Sequence, residues 1–488
     1  MADRVDIPLQ GLIFSTPAIC PPPAGAGNLG PLFALIRGFG DGTDQKETAL
    51  DLVDAKGRSQ PGFPFLRHGA PYRFAPASQV GVGSPSKGTG SMLIAVDLEG
   101  RLWTAVPGSG APHESAVADD ARGWLAAQPL TLPGARGDAL LLLVSRAFPP
   151  YTGSRNAVHL LDWQGRPRTG WPVPVTDRPV AGTPAIAAGR IHVLLENGSV
   201  YGIDVASGQA SELLSPDPSL VLAAEPRMAF FPPLGGPVVS VGDARLMRMN
   251  ARGAAESMRV AGAGRITALA AAGNRLFALD EGRGSLLTLD AAGRIVSRLE
   301  LGPPSTGNLA SLRALDLGGT IVVVTVLVPA QDVDDRISAA FEEHADDEAG
   351  RLIAELAAET AQRDFGTSRY GQMTPAQRRT YDADILAMKH SWLQNNLGWD
   401  ESEAQVAGPP QTRVVISRHD TAGEAIVLAD QVPGFTPETG LGMGNRLEPA
   451  VQRYGDGCLV ALPLNRAATG QPAAGGPDSL VRVYILRR

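Results

Sequence analysis

Apolar and polar residues alternate along residues 190–209, which read RIHVLLENGSVYGIDVASGQ, and this alternation is typical of short β-strands. The first apolar run ends before Asn197-Gly198, a pair that favours the two-residue turn of a β-hairpin. The second run ends at Asp204, whose side chain can accept hydrogen bonds from nearby amides, and Gly208 can adopt a left-handed conformation. The stretch therefore predicts a hairpin that leads through a tight turn into another strand.

The same ending follows other apolar strands along the chain. It recurs as Asp54-Ala-Lys-Gly57, Asp162-Trp-Gln-Gly165, Asn250-Ala-Arg-Gly253, Asp290-Ala-Ala-Gly293 and Asp420-Thr-Ala-Gly423. After Asp162, the next three such positions, Asp204, Asn250 and Asp290, follow at steps of 42, 46 and 40 residues. Four short strands fit a repeat of this length, which is the spacing of a β-propeller blade.

One repeat also resembles a known group of proteins. The segment NGSVYGIDVASGQ, residues 197–209, is similar to the repeat of quinoprotein-like (PQQ-type repeat) β-propellers, a group that includes quinoprotein alcohol dehydrogenases and the outer-membrane assembly lipoprotein. The resemblance covers most of the chain at the level of single blades, and this blade matches best. It implies a fold, and a fold alone does not determine a function.

The number of blades follows from the repeats and from the two ends of the chain. The segments ALDLVDAKGRSQPGFPF and AVHLLDWQGRPRTGWPV share Asp, Gly, Arg, aromatic and Pro positions, which indicates an internal duplication. The last repeat is one strand short, and residues 3–10 can supply its outer strand. We therefore expect an all-β, eight-bladed β-propeller closed by the N-terminal strand, with seven blades as the alternative.

Residues 331–405 interrupt the seventh blade with a helical pattern. Val333, Ile337 and Phe341 lie at helix-compatible intervals with charges between them, and Thr374-Pro375-Ala376-Gln377 is typical of a helix start. This segment predicts a helical hairpin, so the propeller comprises residues 1–330 and 406–488. The arm lies between the second and third strands of its blade, where we also expect long loops at 38–48, 149–156 and 464–478. These connections would share one face of the propeller.

The net negative charge of the chain is concentrated on the arm. Its 16 acidic and 7 basic residues give −9, so the rest of the chain is +2 within a net charge of −7. Aromatic anchors and charge point to a partner-binding surface. The candidate partner-binding residues are Tyr370, Trp392, Trp399, Asp346, Asp347 and Glu348. As an alternative, Trp392 continues the apolar face of Tyr381, Ile385 and Met388 and closes the helical hairpin.

Charge and targeting signals restrict the partners and the compartment. A net charge of −7 gives no general attraction to nucleic acid or to an anionic membrane. Cys20 and Cys458 favour two free thiols over one disulfide. Neither a secretory signal nor a bilayer-spanning apolar run is recognisable. We therefore expect a cytoplasmic bacterial protein without membrane insertion.

The sequence carries weak candidates for cofactor and metal sites. Gly25-Ala-Gly27-Asn-Leu-Gly30 matches a dinucleotide fingerprint by letter but lacks the following helix, and a loop is preferred. Asp41, Asp44 and Glu47 could bind calcium, although a solvated hairpin tip is preferred. The seven histidines show no metal-ligand spacing, and the vicinal cysteines and repeat-end tryptophans of the quinoprotein enzymes are missing. No metal, cofactor or catalytic residue is assigned.

Two functional hypotheses remain. The first is a non-catalytic scaffold or adaptor that binds protein partners through the helical arm and the long-loop face. The chain resembles propellers encoded beside MoxR-type ATPases and von Willebrand factor A proteins in bacterial ternary systems, which implies such a partner. The second is a hydrolase or lyase with its active site in the central channel. Clustered Asp, Glu or His residues at the channel mouth would favour the enzyme, whereas an apolar or arginine-lined interior would favour the scaffold.

Overall fold

The computed structural model describes residues 2–21, 30–41, 44–65, 79–83, 91–97, 101–107, 112–115, 124–133, 139–146, 156–162, 164–176, 184–215, 226–241, 243–250, 253–302, 310–327, 337, 341, 344–369, 373, 375–397, 411–421, 423–437, 447–466 and 477–487.

Short β-strands dominate the described residues. The first half of the chain contributes β1 (Ala2–Leu9), β2 (Leu12–Ile13), β3 (Ala18–Cys20), β4 (Leu32–Asp41), β5 (Asp44–Val53), β6 (Gly81–Gly83), β7 (Met92–Val96), β8 (Leu102–Ala105), β9 (His113–Ser115), β10 (Trp124–Leu125), β11 (Leu130–Pro133), β12 (Ala139–Arg146), β13 (Ala157–Leu161), β14 (Val173–Pro174), β15 (Ala185–Ala187), β16 (Arg190–Leu194), β17 (Val200–Asp204) and β18 (Ala210–Leu214). The second half contributes β19 (Arg227–Phe231), β20 (Gly236–Ser240), β21 (Arg245–Met249), β22 (Ala255–Arg259), β23 (Ile266–Ala272), β24 (Arg275–Asp280), β25 (Ser285–Leu289), β26 (Ile295–Glu300), β27 (Ser311–Asp316), β28 (Ile321–Leu327), β29 (Gln411–Asp420), β30 (Gly423–Pro433), β31 (Phe435–Thr436), β32 (Ala450–Tyr454), β33 (Gly457–Arg466) and β34 (Ser479–Leu486).

Consecutive strands assemble into small antiparallel sheets, which we call units 1 to 8. Unit 1 holds β2–β5, unit 2 β6–β9, unit 3 β10–β14, unit 4 β15–β18, unit 5 β19–β22 and unit 6 β23–β26. The remaining strands form one nine-stranded sheet with two parts, in which β31 joins unit 7 (β27–β30) to unit 8 (β32–β34 and β1). The recurring short strands of the sequence therefore fold as repeated sheets.

The two ends of the chain lie side by side in unit 8. Strand β1 pairs antiparallel with β34 from Ala2 opposite Leu486 to Leu9 opposite Ser479. Asn465, which is 1% exposed, accepts a 2.7 Å hydrogen bond from the Ile13 amide and donates a 2.8 Å bond to the Ile13 carbonyl oxygen. The amino-terminal strand thus pairs with the last strand of the chain.

A charged cluster reinforces this junction between the ends. The Arg482 guanidinium donates two 2.7 Å hydrogen bonds to the Asp6 carboxylate on β1. It also donates a 3.0 Å bond to Asp430 on β30, which accepts another at 3.0 Å from the Tyr484 hydroxyl. Because these bonds join β1, β34 and β30, they fix unit 8 to unit 7 as well as the amino terminus to the carboxyl terminus.

The recurring Asp-to-Gly ending has a common geometry. Asp290 Oδ1 accepts hydrogen bonds from the amides of Ala292 (2.8 Å) and Arg294 (2.9 Å), and Oδ2 accepts one from Arg294 Nε (2.9 Å). Gly293 has a φ of +75°, a conformation that an L-residue adopts only with strain. Asp54 and Asp162 make the same three bonds to the residues two and four positions later. The motif therefore closes the strand-to-strand turn in the three repeats that contain Asp54, Asp162 and Asp290.

The described core consists of apolar clusters between sheets. Eight clusters can be matched to successive unit pairs, and each contains buried residues from both units. The pair of unit 8 and unit 1 shares one of them, in which Ile7 and Leu9 of β1 pack with Phe33 and Leu35 of β4. Each sheet therefore buries both of its faces against its neighbours in sequence.

Among the described residues between β28 and β29, two helices have defined bounds. These are α1 (Asp347–Phe365) and α2 (Pro375–Leu397). Strands β28 and β29 are hydrogen-bonded neighbours, with Leu327 opposite Arg413, so the chain leaves the sheet and returns to an adjacent position. Helix α2 begins with its proline in the first turn, as the sequence predicts.

The first hairpin differs from its prediction. Residues 38–48 were expected to form a long loop, but β4 and β5 extend to Asp41 and Asp44, which are opposed in the ladder. The prediction of a loop is wrong because the backbone pairing of β4 with β5 continues to the hairpin tip. Residues 149–155 and 467–476 of the other predicted loops, and the Gly25–Gly30 motif apart from Gly30, lie outside the described residues.

The cysteines are free and buried. Cys20 packs between units 1 and 2, and Cys458 packs between units 7 and 8. Burial raises the pKa of the Cys458 thiol to about 11, so it stays protonated and unreactive at neutral pH. The preference for two free thiols over one disulfide is confirmed.

Candidate functional site

The predicted acidic residues of the arm lie at the start of α1. Asp346 is the N-cap, and its side chain accepts a 2.9 Å hydrogen bond from the Ala349 amide. Asp347 and Glu348 follow in the first turn and are exposed. Carboxylates at this position stabilise the positive end of the helix dipole. These residues therefore start the helix and leave negative charge on its surface.

One face of α1 packs against α2. Ala349, Ile353, Ala357 and Ala361 follow each other at intervals of four residues and are all buried. Leu393 of α2 is 0% exposed in the same cluster. Trp392 packs with its ring centroid 5.2 Å from that of Phe341, nearly perpendicular to it. The structure thus places Trp392 in the packing between helices, the alternative left open by the sequence.

The other candidate aromatic residues of the arm, Tyr370 and Trp399, lie outside the described residues. Their role in binding a partner stays a prediction.

A second face of α1 carries apolar side chains without a neighbour on the helix pair. Leu352 is 52% exposed and Leu356 is 45% exposed, and at four residues apart they are adjacent on the surface. Glu348, Glu355 and Glu359 are exposed around them. We call these five residues the arm surface.

The sequence contained a signal for the arm surface. Helix α1 holds two apolar rows, one through Ile353 and Ala357 and one through Leu352 and Leu356. Both rows are consistent with an amphipathic helix, and the pattern alone does not say which row faces α2. Aromatic residues alone therefore do not identify Leu352 and Leu356 as part of an exposed surface.

A cavity of about 520 Å³ is lined by residues of several units. Its described lining comes from units 1, 2, 3, 7 and 8, in or next to β3, β6, β11, β27 and β32. These residues are mostly small or apolar, with the amides of Gln128 and Gln452 and the guanidinium of Arg313. Within this described lining there is no Asp, Glu or His, and Arg313 is its one charged residue.

Polar contacts connect five units beside the cavity. Gln79 Oε1 accepts a 3.3 Å hydrogen bond from the Thr16 amide, and Thr16 Oγ1 accepts a 3.2 Å bond from the Glu448 amide. The Glu448 carboxylate accepts a hydrogen bond from Arg313 and lies 4.0 Å from the guanidinium of Arg227. Thr16 and Glu448 directly precede cavity-lining prolines. These contacts fix the positions of the chain segments that lead into Pro17 and Pro449 at the cavity.

A Ser-His-Glu arrangement lies between units 6 and 7. Ser417 Oγ is 2.8 Å from His419 Nε2, and His419 Nδ1 is 3.2 Å from Glu424 Oε1. The same carboxylate oxygen accepts hydrogen bonds from the hydroxyls of Thr288 and Ser297 in unit 6. Ser417 and His419 are each 1% exposed, so no substrate can reach the hydroxyl. The arrangement therefore connects two sheets and does not form an accessible nucleophile.

Burial and charge act in opposite directions on this group. Burial lowers the pKa of His419 below its ordinary value, and the nearby Glu424 carboxylate opposes that shift. His159 and His192 are also buried within strands, as predicted. Burial lowers the pKa of His192 as well. His192 and His419 are therefore neutral in the folded protein at neutral pH.

The described residues contain no group of three or more His, Cys, Asp or Glu side chains placed to hold a metal ion. Neither α1 nor α2, the helices of this described part, has both the length and the hydropathy to cross a bilayer.

No protein-family model matches the chain, and a search of curated proteins finds no match. Among solved structures, the chain is similar to BamB from Moraxella catarrhalis, at 17% identity over 64% of this chain and 80% of that one, with a TM-score of 0.38. It is also similar to the computationally designed Ika8 protein (10% identity, 99% of both chains, TM-score 0.46) and to Saccharomyces cerevisiae Sqt1 (11% identity, 67% of this chain and 85% of that one, TM-score 0.38). Similarities of this size establish neither a family nor a function.

Proposed function

We propose that the protein is a non-catalytic scaffold, an eight-bladed β-propeller whose helical arm binds a protein partner. Ring closure is supported by the eight apolar clusters, because each joins two consecutive units and one of them joins unit 8 to unit 1. A closed ring also explains why β1, at the amino terminus, pairs with β34, at the carboxyl terminus. In this proposal residues 1–330 and 406–488 form the ring, and residues 331–405 form the arm.

The observation that carries the binding role is the arm surface. A helix of this length needs only one apolar row to pack against α2, and Ile353 and Ala357 supply that row. The second row, Leu352 and Leu356, remains about half exposed. Adjacent exposed leucines on a well-packed helix are typical of a docking surface, because covering them removes apolar area from water.

The acidic residues around Leu352 and Leu356 indicate which kind of partner surface is complementary to the arm surface. Glu348, Glu355 and Glu359 surround the exposed pair, and the arm carries a net charge of −9. The complementary surface is apolar at its centre and basic at its edge. A MoxR-type ATPase or a von Willebrand factor A protein that presents such a surface is the first candidate, in line with the resemblance noted in the sequence.

The scaffold is placed in the bacterial cytoplasm, where the free thiols of Cys20 and Cys458 would persist. The alternative, a hydrolase or lyase with its site in the channel, needs an acid–base pair at the cavity. The described lining instead presents Arg313 among small and apolar residues. This lining supports the proposal of a binding role over the enzyme alternative.

The test compares the partners captured by the intact protein and by a Leu352→Ser, Leu356→Ser double variant. We expect loss of the partner with unchanged thermal stability, because the replaced side chains are exposed. Ile426→Ser with Val427→Ser on β30 is the matched control, since these residues are 41% and 42% exposed but lie outside the arm. Equal capture by all three proteins would contradict the proposal.

A deletion provides a second test. Because Leu327 and Arg413 are opposed on paired strands, a short turn can join β28 to β29 in place of the arm. The shortened protein should keep its β-sheet circular dichroism and lose the partner. Binding to the intact protein should also weaken as the salt concentration rises, because the surrounding glutamates attract a basic surface.

A further inference from the structure

The guanidinium group of Arg313 lies beside the cavity and has N–H donors that make no hydrogen bond within the described residues. Its Nη2 donates to Glu448, whereas its Nε and Nη1 have no partner among the described residues. The side chain is 32% exposed and belongs to the cavity lining. A guanidinium is always charged and presents its N–H groups in a rigid plane that matches a carboxylate. Since Glu448 holds one side of this group, the other side is positioned before a ligand arrives.

Neutral polar groups surround this cation. Ser91, Thr131 and Gln452 lie in the lining, and their side chains make no hydrogen bond within the described part of the chain. The inner strands add backbone groups, because β3 and β6 each pair with a neighbour on one side only. A ligand in the cavity can therefore satisfy one charge and several hydrogen bonds at the same time.

The size of the cavity limits the ligand. About 520 Å³ lies within the range of sites that enclose small molecules, which is roughly 300 to 1,000 Å³. Gly81 packs closely on unit 3, since a Cβ at this position would lie 2.9 Å from atoms of Pro129. The wall between β6 and unit 3 is thus a fixed surface and cannot collapse into the space.

We propose that the central cavity binds a ligand with a free carboxylate, which is either a small organic acid or the carboxyl terminus of a peptide. The carboxylate pairs with Arg313, and the polar side chains and strand edges hold the rest of the ligand. This site is separate from the arm surface and does not depend on the scaffold role of the arm.

The test measures binding of matched acids and amides to the full-length protein. A set of small carboxylic acids and acetylated tripeptides, each paired with its own amide, is screened by thermal shift, and the hits are titrated by calorimetry. We expect acids to bind at least about tenfold more tightly than their amides, because an amide loses the charged contact. Binding of short acids identifies a small-molecule ligand, whereas binding of tripeptide acids alone identifies a peptide terminus.

Variants link this binding to the cavity. Arg313→Gln should weaken acid binding at least about tenfold, and Arg453→Gln, an exposed arginine on β32 outside the lining, should leave it unchanged. Because Arg313→Gln also removes the partner of Glu448, Ser91→Phe provides a second variant that fills the cavity and keeps the ion pair. Equal binding of acids and amides, no binding by any acid at millimolar concentration, or unchanged acid binding in both cavity variants would overturn the proposal.

Discussion

Truncation of Ile7 tests whether the amino-terminal strand is part of the folded core. Ile7 lies on β1, is 0% exposed and packs in the cluster shared by units 8 and 1. Ile7→Ala removes three carbon groups, each of which contributes about 0.8 kcal/mol when buried, so the transfer cost is about 2.5 kcal/mol. The cavity left by incomplete collapse raises the expected loss to about 3 to 4 kcal/mol.

The matched control is Ile426→Ala, the same substitution on an outer strand. Ile426 is 41% exposed, so its truncation should cost about 1 kcal/mol. Both variants and the parent are unfolded in urea and followed by tryptophan fluorescence and by circular dichroism. A lower midpoint with an unchanged slope reports the loss of stability. If Ile7→Ala costs no more than Ile426→Ala, the terminal strand does not contribute to the core and the reasoning fails.

Two further predictions concern a glycine contact and the buried histidines. Gly170→Ala should lower the free energy of unfolding by about 1 to 3 kcal/mol more than Gly189→Ala. The new Cβ at position 170 would overlap the Ser207 carbonyl oxygen, whereas Gly189, which has a similar positive φ, has open space around it. Urea unfolding of both variants measures the difference, and equal losses would contradict the prediction. Stability should fall as the pH decreases below about 6.5, because His419 has a lowered pKa in the folded state and the unfolded chain binds the proton more readily. The slope approaches about 1.4 kcal/mol per pH unit for each such histidine and should be smaller in His419→Gln, so an unchanged slope in thermal melts across this range would refute the assignment.

The repeated sheets were predictable because their pattern is local. An apolar strand followed by Asp and Gly recurs in several repeats, and the structure shows the same three hydrogen bonds at Asp54, Asp162 and Asp290. The missing strand of the last sheet was also predictable, since the repeat shows how many strands each sheet needs. The extended tip at Asp41 and Asp44 was missed because charged residues at the end of a hairpin look like a loop in sequence.

The candidate site depended on contacts that no local pattern contains. Thr16 and Glu448 are separated by 432 positions, and their hydrogen bond forms only when unit 8 lies beside unit 1. Arg313 likewise becomes a candidate binding residue only because residues of other units line the same cavity. On the arm, Trp392 was visible as a large aromatic residue, but only the packing shows that it meets Phe341. Composition identified the acidic arm, and the structure identified which side chains are exposed on it.

A disulfide between the two terminal strands tests ring closure most directly. Asp3 on β1 lies opposite Ile485 on β34, and opposed residues in an antiparallel pair are about 4.5 to 5.5 Å apart at Cα, a distance that a disulfide can span. In Asp3→Cys with Ile485→Cys, mild oxidation should consume both new thiols within one chain. A control that pairs Asp3→Cys with Val296→Cys, on the outer strand of unit 6, should keep both thiols free. Equal free-thiol content in the two oxidised proteins would contradict a closed ring.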